Sequence, residues 1–207
     1  MSDYLNIMDH LRYANMSFQH QRNALFEIVL GDALIAEALR NARDLAMPNW
    51  RLVSGAIYNT IWNALTNRPS GYGIKDVDLF YFDDSDLSYD AEDRWIKRGQ
   101  SIFAGFSHSL EIKNQARVHL WFKNRFGSEY PKLTSTEEGI DYFASRTYAV
   151  GLRIDDKDVL DLYAPYGLND MFSFRITPNY LLPNKSTYDA KRKRVQKFWP
   201  EIQCLPW

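Results

Sequence analysis

Asp76 and Asp78 flank a valine at the head of the stretch GIKDVDLFYFDD, residues 73–84. A strand alternates its side chains with period two, so the two carboxylates share a face with their Cα atoms about 6.5–7 Å apart. Two carboxylates that close raise each other's pKa unless a cation lies between them, and hard oxygen donors suit Mg²⁺. The same acid-x-acid spacing recurs at Asp84–Asp86, Asp90–Glu92 and Asp156–Asp158. Those pairs sit in polar loops or a helix, where solvation accounts for them. Only Asp76–Asp78 leads an apolar run, Leu79 to Phe82.

Two other stretches could work with that pair. Glu111 stands between Leu110 and Ile112 on a second candidate strand, 109–115. If the two strands are neighbours, Glu111 completes a three-carboxylate cluster able to hold two metal ions for a displacement at phosphorus. Taken alone, it reads first as an exposed acid on a half-buried strand. Upstream, a short strand at 50–55 runs through Ser54-Gly55 straight into the helical period of 56–65. Gly55 would let a ligand approach the backbone, and free N–H groups at a helix start suit a triphosphate. The plainer alternative is that Ser54 is an ordinary N-cap.

The elements that must position these residues follow from periodicity. Residues 22–46 have helical spacing, with a possible break at Gly31-Asp32 and Asp32 as N-cap. A strand is expected over 76–83, then a helix from about Tyr89 to Phe103. Residues 116–127 are amphipathic and ambiguous. A helix is expected over 135–146, opened by Ser/Thr and acids. TYAVGLRID and DVLDLYAP read as a hairpin joined through DDK. A basic helix, STYDAKRKRVQKFW, stops at Pro200. Within it, AKRKRVQKFW fits either a nucleic-acid contact or a solvated helix docked through Val195, Phe198 and Trp199. This order of elements predicts an α+β fold, a mixed sheet flanked by helices, in one compact domain. Its parts are an N-terminal helical segment (1–47), a core (48–172) and a basic helical extension (173–207).

Composition narrows the chemistry further. With 25 basic and 26 acidic residues the net charge is −1, so no global field draws the chain to nucleic acid or membrane. The single cysteine, Cys204, precludes an intrachain disulfide, and His10, His20, His108 and His119 lack zinc-ligand spacing. PNKST (183–187) lacks the glycines of a P-loop, and SGYG precedes a strand where a dinucleotide fingerprint would follow one. The N-terminal MSDYLNIMDH has no apolar signal region and no run approaches a membrane span. A cytoplasmic protein without membrane partners is therefore expected.

Taken together, SGAIYNTIWNAL, SGYGIKDVDLFYFD and LEIKNQARVHLWF resemble the nucleotidyltransferase fold of the DNA polymerase beta superfamily. They are similar in particular to an uncharacterised bacterial nucleotidyltransferase-like group and to the head domain of CCA-adding enzymes and poly(A) polymerases. The likeness spans roughly residues 50–172. The turn reads Ser54-Gly55-Ala56 where Gly-Ser is commonest, and ASRTYAVG keeps Arg146 and Thr147 of a nucleotide-holding motif without its acid and asparagine. The resemblance implies transfer of a nucleoside monophosphate from an NTP, such as ATP, to a hydroxyl acceptor with release of pyrophosphate. RNA, a protein and a small molecule all qualify as acceptor. It implies two Mg²⁺ ions held by Asp76, Asp78 and Glu111, the catalytic and metal-binding set. Ser54 and Gly55 would then hold the β- and γ-phosphates, with Lys75, Lys113, Arg117 and Arg146 as candidate phosphate cations. Lys75 ranks below Arg117, because a regular strand turns it away from Asp76. The alternative is a non-catalytic nucleotide-binding or regulatory protein on the same scaffold.

Overall fold

The computed structural model describes residues 9–207. Residues 1–8, on which the reading of the N-terminal stretch and the start of the helical segment fall, lie outside the described residues.

The first helices are α1 (Phe18–Gly31) and α2 (Ala33–Leu45). The break falls at Asp32, which serves both: its amide donates to the Ile28 carbonyl and its carboxylate accepts from Ile35 N at 3.1 Å. In α2 the positions Ile35, Ala38, Leu39, Ala42 and Leu45 are fully buried, the i, i+3, i+4, i+7 stripe of a core-facing helix.

Strand β1 (Arg51–Val53) feeds α3 (Gly55–Leu65), and β2 (Asp76–Tyr81) follows. α3 is buried nearly all round, with Ile57, Ile61 and Trp62 inaccessible to solvent. Two of its buried polar groups reach partners outside the helix: Asn63 Nδ2 donates to the Tyr72 carbonyl at 2.9 Å and Trp62 Nε1 to the Met171 carbonyl at 3.0 Å. Next come α4 (Tyr89–Ile102), capped by Ser88, and β3 (Ser109–Asn114). Gly99 lets α4 lie on β3, since a Cβ there would sit 2.4 Å from Ile112 Cδ1.

The ambiguous segment becomes a 3₁₀ turn, Gln115–Arg117, followed by α5 (Val118–Phe126). The helix expected over 135–146 is shorter: α6 (Thr136–Asp141) ends early and a 3₁₀ turn, Arg146–Tyr148, follows. The reason is tertiary. Asn179 Nδ2 donates to the carbonyls of Asp141 and Phe143, and Arg146 N to Thr177 O, so a later segment takes the groups a longer helix would have used. β4 (Gly151–Ile154) and β5 (Leu160–Tyr163) form the expected hairpin. α7 (Asn169–Phe172), β6 (Arg175–Ile176), α8 (Lys185–Phe198) and β7 (Gln203–Cys204) complete the chain. The small parallel β6–β7 pair has no strong local pattern behind it.

The main sheet has five strands in the order β3-β2-β1-β4-β5. β2 and β3 are parallel and the other pairs antiparallel, so the sheet is mixed and the fold α+β, as expected. One face, with Val77, Leu79, Tyr81 and Ile112, enters the main core against α1–α4. On the other, Val53, Ile140 and Ala149 form a second, smaller cluster with Phe80 and Phe143 packed against it. Val195 of α8 and Trp199 just after it are buried, so the basic helix docks through its apolar side. Gly73, at φ +71°, lies where a Cβ would strike the Trp199 ring, which brings α8 against the loop before β2.

Candidate active site

The corner between β1 and α3 is strained. Ser54 has φ 57° and ψ −112°, outside the regions a side-chain-bearing residue ordinarily occupies, and its side chain makes no capping bond. The ordinary N-cap reading of Ser54 therefore fails. The corner is held by backbone: Ser54 N donates to the Val150 carbonyl at 3.0 Å, while Ser54 O accepts from Ile57 and Tyr58. The amides of Gly55 and Ala56 occupy the first two positions of the helix, where no intrahelical acceptor exists. Such strain costs about 1–3 kcal/mol and persists where the surroundings enforce it. Ser54→Gly is thus expected to stabilise the protein by about 1 kcal/mol while removing a polar group from the cleft. Thermal unfolding checks this; an unchanged or lower Tm would remove the claim of strain.

The acids meet on the sheet. β2 alternates half-buried and buried residues along its whole length, so Asp76, Asp78 and Phe80 share the face opposite the main core. Parallel pairing sets Asp78 directly beside Glu111, and Asp76 beside Ser109. All three acids line one cleft of ≈ 300 Å³ together with Ser54, Gly55, Tyr58 and Asn59. Asp78 is the most hemmed in. Loss of hydration, assisted by the charges of Asp76 and Glu111, pushes its pKa up to about 6 against the pull of Lys191 and Lys75. Tyr58 is buried, stacks on Tyr148 at 4.7 Å between ring centres, and is held neutral by a pKa raised through burial. A strained strand-to-helix corner with free amides beside three carboxylates is suited to binding a polyphosphate and compensating cations.

A family profile described as Nucleotidyltransferase matches residues 40–204, most of the chain. The chain belongs to this nucleotidyltransferase family. Among solved structures, the fold is similar to one described as an NMR structure revealing a CCA-adding enzyme head domain. The TM-score is 0.71 and the identity 24%, covering 88% of this chain and 95% of that one. No curated protein sequence matches. Both findings agree with the resemblance carried by residues 50–172.

On this nucleotidyltransferase scaffold the candidate phosphate cations separate. Lys75 lines the acid cleft, and its Nζ lies 2.6 Å from Asp76 Oδ2. It precedes β2, so strand alternation does not turn it away. Lys113 sits two residues beyond Glu111 on the same face, 3.1 Å from its Oε1, and faces a neighbouring aromatic cavity. Arg117 and Arg146 do not line the cleft. Arg117 is committed to Glu92, in a buried ion pair, and to the Leu87 carbonyl at 2.9 Å. Arg146 is exposed, with its guanidinium 5.5 Å from the centre of the Tyr166 ring. The ranking of Arg117 above Lys75 is reversed, because the turn after β3 folds Arg117 back onto α4.

The residues missed by sequence reasoning come from two helices. Tyr58 and Asn59 follow Gly55 at i+3 and i+4 on α3, a spacing that helical period alone could have flagged. Lys191 and Arg194 stand three apart on α8 and also line the cleft. Arg194 donates to the Gly73 carbonyl at 2.9 Å, pinning α8 to the loop before β2. Lys191 is exposed as a residue, yet its ammonium lies 5.7 Å from the centre of the fully buried Tyr148 ring. Crowding by protein lowers its pKa, while Asp78 and Asp76 pull it back up.

Among the described residues, no three acidic, histidine or cysteine side chains already close on a common point. The donor set nevertheless fits hard divalent cations: three carboxylates on neighbouring positions of paired strands, one with its pKa raised by burial and, less, by the charges of the other two. Lys75 and Lys113, both surface-accessible, now partly balance Asp76 and Glu111 and can swing aside. No helix among the described residues is long and apolar enough to cross a membrane.

Proposed function

We propose that this nucleotidyltransferase transfers a nucleoside monophosphate from an NTP to a hydroxyl acceptor, with Asp76, Asp78 and Glu111 holding two Mg²⁺ ions. The observation that carries the proposal is the convergence of these three acids, far apart in the chain, beside the Ser54-Gly55 corner. The Ser54 side chain and the Gly55 and Ala56 amides receive the β- and γ-phosphates at the helix start. Lys75 and Arg194 neutralise them, and Lys191 adds a third cation to the cleft lining. The acceptor oxygen forms a bond to the α-phosphorus as the bond to the bridging oxygen of the β-phosphate breaks. Pyrophosphate leaves, and the hydroxyl proton passes to solvent. Bound Mg²⁺ would supply charge neutralisation at phosphorus and a lowered pKa for the acceptor hydroxyl. Binding both partners in one cleft converts the encounter into an oriented, effectively unimolecular step.

One observation favours a second reading, a nucleotide-binding protein that does not transfer. Lys191 lines the same cleft as Asp78 and Asp76, and a cation retained there would compete with metal. α-Labelled NTPs with Mg²⁺, offered RNA, protein and small hydroxyl compounds in turn, separate the two. Label on an acceptor with stoichiometric pyrophosphate supports transfer. Saturable NTP binding with no pyrophosphate from any acceptor supports the second reading, and no NTP binding at all removes both.

A further inference from the structure

Beyond Asp78, the same sheet face continues into an aromatic cavity of ≈ 160 Å³, far more room than a single water needs. Its walls include Phe80, Trp121, Phe122, Tyr142 and Phe143. Phe80 follows Asp78 by one side-chain repeat on β2, and Lys191 lines both the cavity and the acid cleft. The two spaces are therefore neighbours across one lysine. Asn184 also lines the cavity. It sits at the N-cap position of α8 without capping it, and its side-chain carbonyl is buried with no partner among the described residues. A buried, unpaired amide oxygen costs about 1–3 kcal/mol, and the terminal torsion of an asparagine is broad enough to let the amide reorient for a partner.

We infer that this aromatic cavity receives the base of the NTP, with the Asn184 amide hydrogen-bonding the base edge. The inference rests on the proposed NTP site and adds what reads its base. The direction along the sheet supports it. Register sets Arg51 opposite Phe80 and Val53 opposite Asp78, so the phosphate-binding corner that follows Val53 lies at the Asp76 end of β2. A nucleotide with its triphosphate at that end and its α-phosphate near Asp78 extends its sugar and base toward Phe80. Planar aromatic walls suit a base, whose stacking on such side chains contributes about 1–3 kcal/mol. The lining is mostly apolar, and the residue it shares with the acid cleft is the cation Lys191, the polarity order of a nucleotide from base to phosphate.

The test compares NTPs with inorganic tripolyphosphate, which has no base, by calorimetry with Mg²⁺ on the full chain. Two variants are used: Thr187→Phe, which fills the cavity from half-buried Thr187 on α8, and Asn184→Leu. At least one NTP is expected to bind wild type tenfold or more tighter than tripolyphosphate. Thr187→Phe should erase that margin, Asn184→Leu should reduce it several-fold, and tripolyphosphate affinity should not change. If tripolyphosphate binds and neither variant alters NTP affinity, or both ligands weaken equally, the base assignment is overturned while the phosphate site stands. If wild type binds neither ligand, the nucleotide site falls, and this inference with it.

Discussion

Asp76→Asn/Asp78→Asn is expected to lower pyrophosphate release by about 10³-fold or more, because two of the three carboxylates proposed to hold divalent cations are lost at once. Mg²⁺-dependent NTP binding should disappear with it. The fold should survive and gain stability. Asp78 is held in a setting that disfavours its charge, with its pKa pushed up to about 6. The folded protein thus binds that proton more tightly than the unfolded chain. Its ionised form is a cost to folding above pH 6, relieved as the pH falls toward the ordinary carboxylate range. Asn carries no such cost. With allowance for solvent screening of a half-buried group, the gain at pH 7 is on the order of 1–2 kcal/mol, or a rise of about 3–6 °C in Tm. Lys191 retains Glu111 as a counter-charge. The same protonation competes with metal, so wild-type Mg²⁺-dependent NTP binding should weaken as pH falls through about 6. A double variant that still binds NTP with undiminished Mg²⁺ dependence would refute the assignment of the acids.

Arg117→Met is expected to cost about 3–5 kcal/mol of stability, the penalty for leaving a buried charge unpaired. The side chains of Arg117 and Glu92 are 11% and 8% exposed, and they pair directly. Glu92 also accepts from Asn114 N at 2.8 Å, tying α4 to the end of β3. The pair therefore locks the strand that presents Glu111. Chemical denaturation measures the loss. NTP affinity, determined below the unfolding transition, should hold to within about threefold, since Arg117 does not line the cleft. Replacing Glu92 by Gln in the same background should recover part of the loss by removing the orphaned charge. A variant with wild-type stability and tenfold weaker NTP binding would return Arg117 to the role of phosphate cation that its sequence context suggests.

The contrast between Asp78 and Arg117 marks what local sequence could settle. Strand alternation placed Asp76 and Asp78 on one face before any fold was known, because side-chain direction within a strand follows from the backbone itself. Asp32 at the break between α1 and α2 and the hairpin of β4 and β5 were readable for the same reason: caps and turns are local chemistry. The strand-to-helix passage through Ser54-Gly55 was also visible. The backbone strain at Ser54 was not, since it depends on Val150 across the sheet.

Long-range packing decided the rest. Glu111 meets Asp78 only because β3 pairs with β2 in parallel and in register, and nothing within 109–115 specifies that partner. The early end of α6 depends on Asn179, and the cleft positions of Lys191 and Arg194 depend on Trp199 seating against Gly73. A chain's own residues dictate which way a side chain leaves its element. What that side chain then faces is set by which elements share the core, and charges acquire their partners only when that packing is complete.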